Sequence, residues 1–348
     1  MSRQRGPSIE DVAREAGVSV ATVSRALRGL PNVAEGTRVR IETIATEMNY
    51  RADPSAARLA TGRTHLVQLV TPTVDGWYFS RFIAGAIEFL IGRGYEAIAH
   101  PVENPEQREA FLSEMLRLEK RVDGLIVVDL NISEEAASRL HAAGIKAVTA
   151  GFRTEKFPSV LVDDYQVGFA ATKHLLDIGH HRIGLISGEP NHPLAFSVPG
   201  LRIAGYTGAL AAAGISIDTS LEQSGFFTAE GGRRAMERLL DLEVPPTAVF
   251  ALSDEMAFGA YGALQERGLS WPNDMAVIGV DDHELASMVG LSTIRLAPRE
   301  LGAAAAKQLL HLIEHGGTSE PPSEGANADI AASKDQIELV IRASTMTS

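Results

Sequence analysis

Residues 8–28 read SIEDVAREAGVSVATVSRALR. Ile9, Val12, Ala13 and Ala16 recur at i, i+3, i+4 and i+7, the spacing of one apolar stripe on a helix, and Ser8 with Asp11 supplies a capping-box start. Gly17 provides the left-handed turn that ends this helix. Ser19 is a hydroxyl cap for a second one running from Val20 to about Arg28. Two short helices joined by a tight glycine turn form the helix-turn-helix pattern.

At roughly 100° per residue, Val23, Ala26 and Leu27 of the second helix share one side. Ala21, Ser24, Arg25 and Arg28 point the other way. A free face of arginine and small residues suits the major groove, where Arg pairs bidentately with guanine and small apolar groups meet the thymine methyl. A solvated helix hairpin inside another all-helical domain is the alternative this pattern leaves open. Ile41, Ile44, Ala45 and Met48 repeat the spacing and predict a third helix. Its start is weak, with Ala34 at the cap position and Gly36 in the first turn, so fraying is expected there.

The motif IxDVAxxAGVSxxTVSRxL, continued by VAEGTRVRIETIATEMNYRADPSAARLATGRT, resembles the DNA-binding headpiece of the LacI/GalR family of bacterial transcriptional regulators. The resemblance extends over essentially the whole chain. It implies a helix-turn-helix headpiece over residues 1–49, a linker with a hinge helix over 50–64, and an effector-binding and dimerisation domain over 65–348. In the headpiece it implies that Val20, Ala21 and Arg25 read base edges and that Ser19, Thr22 and Ser24 contact phosphates or cap. Leu59, in the short Pro54-led linker, corresponds to the wedge that enters the minor groove and kinks the duplex. A segment of about eight residues cannot hold a helix alone in water, so folding on DNA is expected.

Composition bounds the alternatives. With 45% hydrophobic and 22% charged residues, the 348-residue chain is an ordinary globular protein long enough for several cores. It has no cysteine, which excludes disulfides, thiolate metal sites and thiol catalysis. The polar N-terminus and the absence of any run of about 18 uncharged apolar residues point to a cytoplasmic protein without membrane contact. A net charge of −12 argues against general nucleic-acid binding, yet residues 1–62 hold nine arginines against seven acids, so the acidity lies beyond them.

From Leu66 onward, short apolar runs alternate with helical stretches. Strands are predicted at 66–70, 96–99, 124–128, 147–150, 160–162, 182–186, 248–252 and 276–280. Helices are predicted at 79–93, 107–118, 166–178, 201–213, 231–240, 256–267 and 299–315. Alternating β and α with continuous apolar strands means parallel sheets covered on both faces, and this many strands suits two sheets better than one. The resemblance implies two subdomains of periplasmic-binding-protein type (type I), one over 65–163 and 292–321, the other over 164–291 and 322–348. Gly316–Ala328, rich in Gly, Pro, Ser and Glu, reads as the exposed last crossover.

Dinucleotide, P-loop, zinc-protease and nucleophile-elbow motifs are all missing. Asp163–Asp164 and Asp281–Asp282 are the adjacent carboxylate pairs at predicted strand ends, where one acid of each pair suits ligand hydroxyls better than glycosidase chemistry. His180 and His181 read as turn residues, and the Asn131–Ser133 sequon as silent. No catalytic residue, metal or cofactor is expected.

Two facing sheets make a cleft beyond their strand ends that can hinge shut on a ligand. The positions matching the family's effector contacts are Tyr78, Phe79, Arg202, Phe227, Ser253, Asp254 and Asp281. Aromatic faces with an Arg fork and carboxylates suit a polyol. Ser253 replaces an Asn frequent in the family, shortening the reach, and Phe196 and Val198 make one side of the pocket more apolar. The expected protein is a homodimeric repressor that binds a pseudo-palindromic operator and responds to a small-molecule effector, a sugar or sugar derivative. The alternative is a helix-turn-helix protein whose large domain senses a nucleoside or nucleobase or is an enzyme. LVIRAST reads as the closing strand, with no heptad tail for a tetramer.

Overall fold

The computed structural model describes residues 7–27, 31–50, 63–115, 121–189, 194, 197–315, 330–331 and 337–346. The chain divides into two compact units, one through Thr64 and one from His65. Arg28, Leu59 and the rest of the hinge-helix stretch, Phe196 and Gly316–Ala328 lie outside the described residues.

The first unit holds α1 (Ile9–Ala16), α2 (Val20–Leu27) and α3 (Glu35–Glu47). Ser8 and Asp11 cap α1 reciprocally, and Gly17 ends it at φ 65°, where a β-carbon would be strained. Val12, Ala13, Ala16, Val23, Ala26, Ile41 and Ala45 close a small core. The α3 start has no side-chain cap, but Arg38 donates from Nη1 to the Ala26 carbonyl at 3.1 Å and pins its first turns to α2.

The second unit contains two six-stranded sheets. The first runs β11 (Ile330–Ala331), β5 (Ser159–Leu161), β4 (Ala147–Ala150), β3 (Gly124–Val128), β1 (Leu66–Thr71), β2 (Glu96–Pro101), every pairing parallel. The second runs β12 (Glu338–Val340), β10 (Ser292–Arg295), β9 (Ala276–Asp281), β8 (Ala248–Ala251), β6 (Ile183–Ser187), β7 (Glu222–Ser224), parallel except for the β10–β12 pair. Successive residues of β3 enter opposite cores. Ile126 and Val128 pack towards α4 (Trp77–Ile91), while Leu125 and Val127 face α5 (Pro105–Met115) and α6 (Glu134–Ala142). Burial on both faces is why the strands are continuously apolar.

Helices α7 (Asp164–Asp177), α8 (Ser197–Ala212), α9 (Ala229–Leu240) and α10 (Asp254–Glu266) flank the second sheet, followed by the short α11 (Glu284–Met288). The last long helix, α12 (Pro298–His315), returns to pack on α4 over the first sheet. The chain thus leaves the first lobe at Asp164, returns after β10, and crosses again between β11 and β12. This corrects the expected crossings near Leu291 and Pro321. Ser292–Arg295 belongs to the second sheet because it pairs with β9 in register from Ser292↔Ile278 to Arg295↔Asp281, and Ile330–Ala331 remains in the first sheet because it pairs with β5. Four- and two-residue strands carry too little apolar pattern to reveal their sheet, which the partner strand decides. The sequence reading also lacked α6, β7 and α11. Among the described residues no helix is long and apolar enough to cross a membrane.

Candidate functional site

In the first unit, the α2 face opposite the core is open. Ser19, Val20, Ala21 and Arg25 are exposed, and Thr22 and Ser24 are half-buried. Ser19 Oγ accepts from the Thr22 amide at 3.2 Å and bonds Thr22 Oγ1 at 2.9 Å, so these hydroxyls hold the helix start that carries Val20 and Ala21. Val20 is 40% exposed, an apolar side chain at a helix N-terminus with nothing in its own core to bury it. A short helix presenting arginine, a valine and alanine beside a capped, electropositive N-terminus has the shape and chemistry of a major-groove reader.

In the second unit, a cavity of about 460 Å³ lies between the strand ends of the two lobes. Tyr78 and Phe79, on the first turn of α4, meet edge to face with centroids 5.5 Å apart and line the first-lobe side. Phe227 lines the other side. It follows Phe226, and both take left-handed conformations (φ 54° and 56°), which turns the Phe227 ring against Gly188. Val198 and Pro199 add apolar wall.

Arg202 is the only basic side chain among the described lining residues, and it is 5% exposed. Helix packing places it. Gly168 on α7 and Gly205 on α8 face the partner backbone so closely that a β-carbon would come within 2.1 Å of the Arg202 and Tyr165 carbonyl oxygens, respectively. That contact brings Arg202 Nε to Asp164 Oδ1 at 2.8 Å, and Nη1 donates to the Leu252 carbonyl at 2.6 Å. Burial works against its charge, but Asp164 and Asp281 outweigh it and keep the guanidinium protonated. Burial lifts the Asp164 carboxyl above the ordinary range, and Arg202 draws it back.

Asp281 ends β9 with φ 124° and faces the same cavity; burial raises its carboxyl to about 7, against the pull of Arg202. Ser253 lines the wall while its hydroxyl caps α10 through the Met256 amide at 3.3 Å. Asp254 does not line the cavity. It is fully buried and accepts from Thr293 Oγ1 and the His283 amide, both at 2.8 Å, while its own N–H donates to the Asp281 carboxylate. Its place is behind the wall, bracing Asp281. Tyr78, Phe79, Arg202, Phe227, Ser253 and Asp281 are therefore gathered around one space, and Asp254 supports it from outside.

Of the Asp163–Asp164 pair singled out in the sequence, Asp164 is the acid on the lining; sequence reasoning missed Asp129 and Glu255 there. An acid directly after the apolar run GLIVV was the available signal for Asp129. It also missed a clasp over the cleft. Trp77 Nε1 donates to Glu284 Oε2 at 2.6 Å, Arg81 pairs with the same carboxylate, and the Trp77 ring lies 5.0 Å from that of His283. The Trp77 amide donates to Glu255. Trp77 and Arg81 belong to the first lobe and the other three to the second, so the clasp ties the lobes together.

A profile described as "Bacterial regulatory proteins, lacI family" matches residues 8–53, and one described as "Periplasmic binding protein-like domain" matches 172–345. Catabolite control protein A of Priestia megaterium is 33% identical over 306 residues, covering 87% of this chain and 91% of that protein. The chain belongs to the LacI family. The HTH-type transcriptional repressor CytR of Escherichia coli is 31% identical over 347 residues, 99% of this chain and 97% of its own length. Among solved structures, the lac repressor dimer bound to operator and the anti-inducer ONPF superimposes with a TM-score of 0.82 at 26% identity, over 99% of this chain and 100% of that one. The regulator CelR in complex with cellobiose does so with 0.69 at 27%, over 97% and 99%. The chain is thus a DNA-binding transcriptional regulator built from a helix-turn-helix and a periplasmic-binding-protein-like domain, and these relatives are regulators, not enzymes.

Proposed function

We propose that this LacI-family member is a homodimeric repressor whose operator affinity is set by a sugar or sugar derivative bound in the cavity between the lobes. The cavity lining carries the reading. Aromatic rings on two sides suit the apolar face of a sugar ring, and Asp129 and Asp281 offer acceptors for its hydroxyls. Seven acids line the cavity (Asp75, Glu103, Asp129, Asp164, Glu189, Glu255, Asp281) against Arg202 alone among the described residues, and Arg202 is already engaged by Asp164. That balance disfavours anionic ligands such as sugar phosphates. The aromatic walls would also accept a nucleobase, which keeps a nucleoside as the second reading.

On DNA, Val20, Ala21 and Arg25 read base edges, Ser19, Thr22 and Ser24 hold phosphates or the helix cap, and Leu59 wedges the minor groove. One headpiece reads few bases, so two copies on a pseudo-palindrome are required for specificity. Ligand capture shifts the lobes between two arrangements and thereby the operator affinity. The test is a thermal-shift screen of the full chain against neutral sugars, sugar phosphates and nucleosides, followed by operator binding with each hit. A sugar at 100 times its dissociation constant adds about 2.7 kcal/mol of stability. Stabilisation by nucleosides alone would replace the sugar reading with the second one.

A further inference from the structure

β3 ends at Val128, and Asp129 then takes a left-handed backbone conformation (φ 48°) that residues with a β-carbon rarely adopt. Its amide donates to the Ala150 carbonyl at 2.9 Å, so the main chain holds the turn. The carboxylate has no hydrogen-bond partner among the described residues; only the charges of Asp164 and Arg202 act on it. Gly151 (φ 80°) lies against it, and a β-carbon there would stand 1.7 Å from Asp129 Oδ1. The fold therefore clears space for a half-buried carboxylate that no described residue hydrogen-bonds, at the wall of the cavity both residues line. A polar group that faces a cavity without a protein partner, on backbone in a sparsely populated conformation, is characteristic of ligand sites.

We propose that Asp129 is the first lobe's anchor for the effector, accepting a hydrogen bond from a ligand donor, either a sugar hydroxyl or the ammonium of an amino sugar; this rests on the sugar reading of the cavity. The charged and titratable groups facing it are Asp164, Arg202 and Tyr78, with Asp281 beyond Arg202. Burial and then the charge of Asp164 raise the Asp129 carboxyl to about 7, so a proton and the ligand compete for it near neutrality. Asp281 titrates in the same range and retains its own share of the pH dependence.

Calorimetric titration of the full chain with D-ribose, cellobiose, D-glucose and D-glucosamine, at about pH 8 and about pH 6, tests this. A sugar that binds the wild-type chain is expected to bind Asp129→Asn at least about tenfold more weakly at the higher pH, the loss of a charge-assisted hydrogen bond. The gap narrows at the lower pH, and unliganded Asp129→Asn melts higher than wild type. Preference for D-glucosamine over D-glucose that vanishes in Asp129→Asn identifies the donor as the ammonium; equal losses for both identify a hydroxyl. Wild-type affinity in Asp129→Asn at both pH values overturns the assignment and leaves the cavity reading standing. An equal loss at both pH values with a lowered melting midpoint also overturns it, as a structural effect. Absence of binding by all four sugars to the wild-type chain overturns the sugar reading and this inference with it.

Discussion

Arg202→Ala removes a guanidinium that two buried groups depend on. Asp164 is 3% exposed and loses the Nε donor at 2.8 Å, and the Leu252 carbonyl loses Nη1 at 2.6 Å. Removing one partner of a buried ion pair leaves an uncompensated charge and costs about 3–5 kcal/mol. The orphaned carbonyl adds to that only in part, because both losses share the same relaxation. Against a domain stability on the order of 5–15 kcal/mol, this is a large fraction. At about 2–4 °C per kcal/mol for domains of this size, the effector unit should melt roughly 6–20 °C lower. Thermal unfolding of the full chain followed by circular dichroism measures it, with Asp164→Ala/Arg202→Ala as the control. The double variant should be more stable than Arg202→Ala alone, since the stranded carboxylate is gone. Arg202→Lys should not restore wild-type stability, because one ammonium cannot span both acceptors. A midpoint for Arg202→Ala within about 2 °C of wild type would refute the claim that the pair is buried and structural.

Arg25→Ala should weaken operator binding by about 1–3 kcal/mol and leave random-sequence binding nearly unchanged in gel-shift competition; equal losses on both DNAs would mean that Arg25 holds phosphate instead. Trp77→Phe keeps the ring and removes the Nε1 donor to Glu284. It should raise the effector dissociation constant several-fold and expand the unliganded radius of gyration in X-ray scattering, and no change in either would deny the clasp a role in closure. Gly205→Ala forces a β-carbon to within 2.1 Å of the Tyr165 carbonyl, so a loss of about 1–3 kcal/mol in denaturant unfolding is expected. The pH dependence of Asp281 has a definite sign. Its carboxyl rises from 3.8 to about 7 on folding, so its contribution to stability is full below about 4 and lost as pH climbs through 7. Asp281→Asn should therefore stabilise the unliganded chain more at about pH 8 than at about pH 4.5, and a pH-independent difference would contradict that.

Much of this was legible from local pattern. The headpiece reads directly because its stripes are contiguous and its caps are local: Ser8 reaches Asp11, and Ser19 reaches Thr22. The central strands were legible because burial on both faces makes each an unbroken apolar run. Six of the seven effector positions named from the family pattern surround one cavity. Tyr78, Phe79, Phe227, Ser253 and Asp281 lie at strand ends or helix starts, whereas Arg202 is the sixth residue of its helix and reaches the cavity through close helix packing. Asp254 looked the same in sequence as Ser253 beside it. Only packing distinguishes them, because the first turn of α10 directs one to the wall and buries the other between Thr293 and His283.

Sequence alone determined the helix-turn-helix and the two-sheet α/β class, because periodicity records which side of each element is buried; the residues of the cleft came from the resemblance to the family. Tertiary structure decided which short strands joined which sheet, how Gly151 makes room for the Asp129 carboxyl, and how Trp77 meets Glu284 across 207 positions. Those features depend on strand order and on close helix approach. A pairwise contact between distant segments leaves no periodic trace in either one.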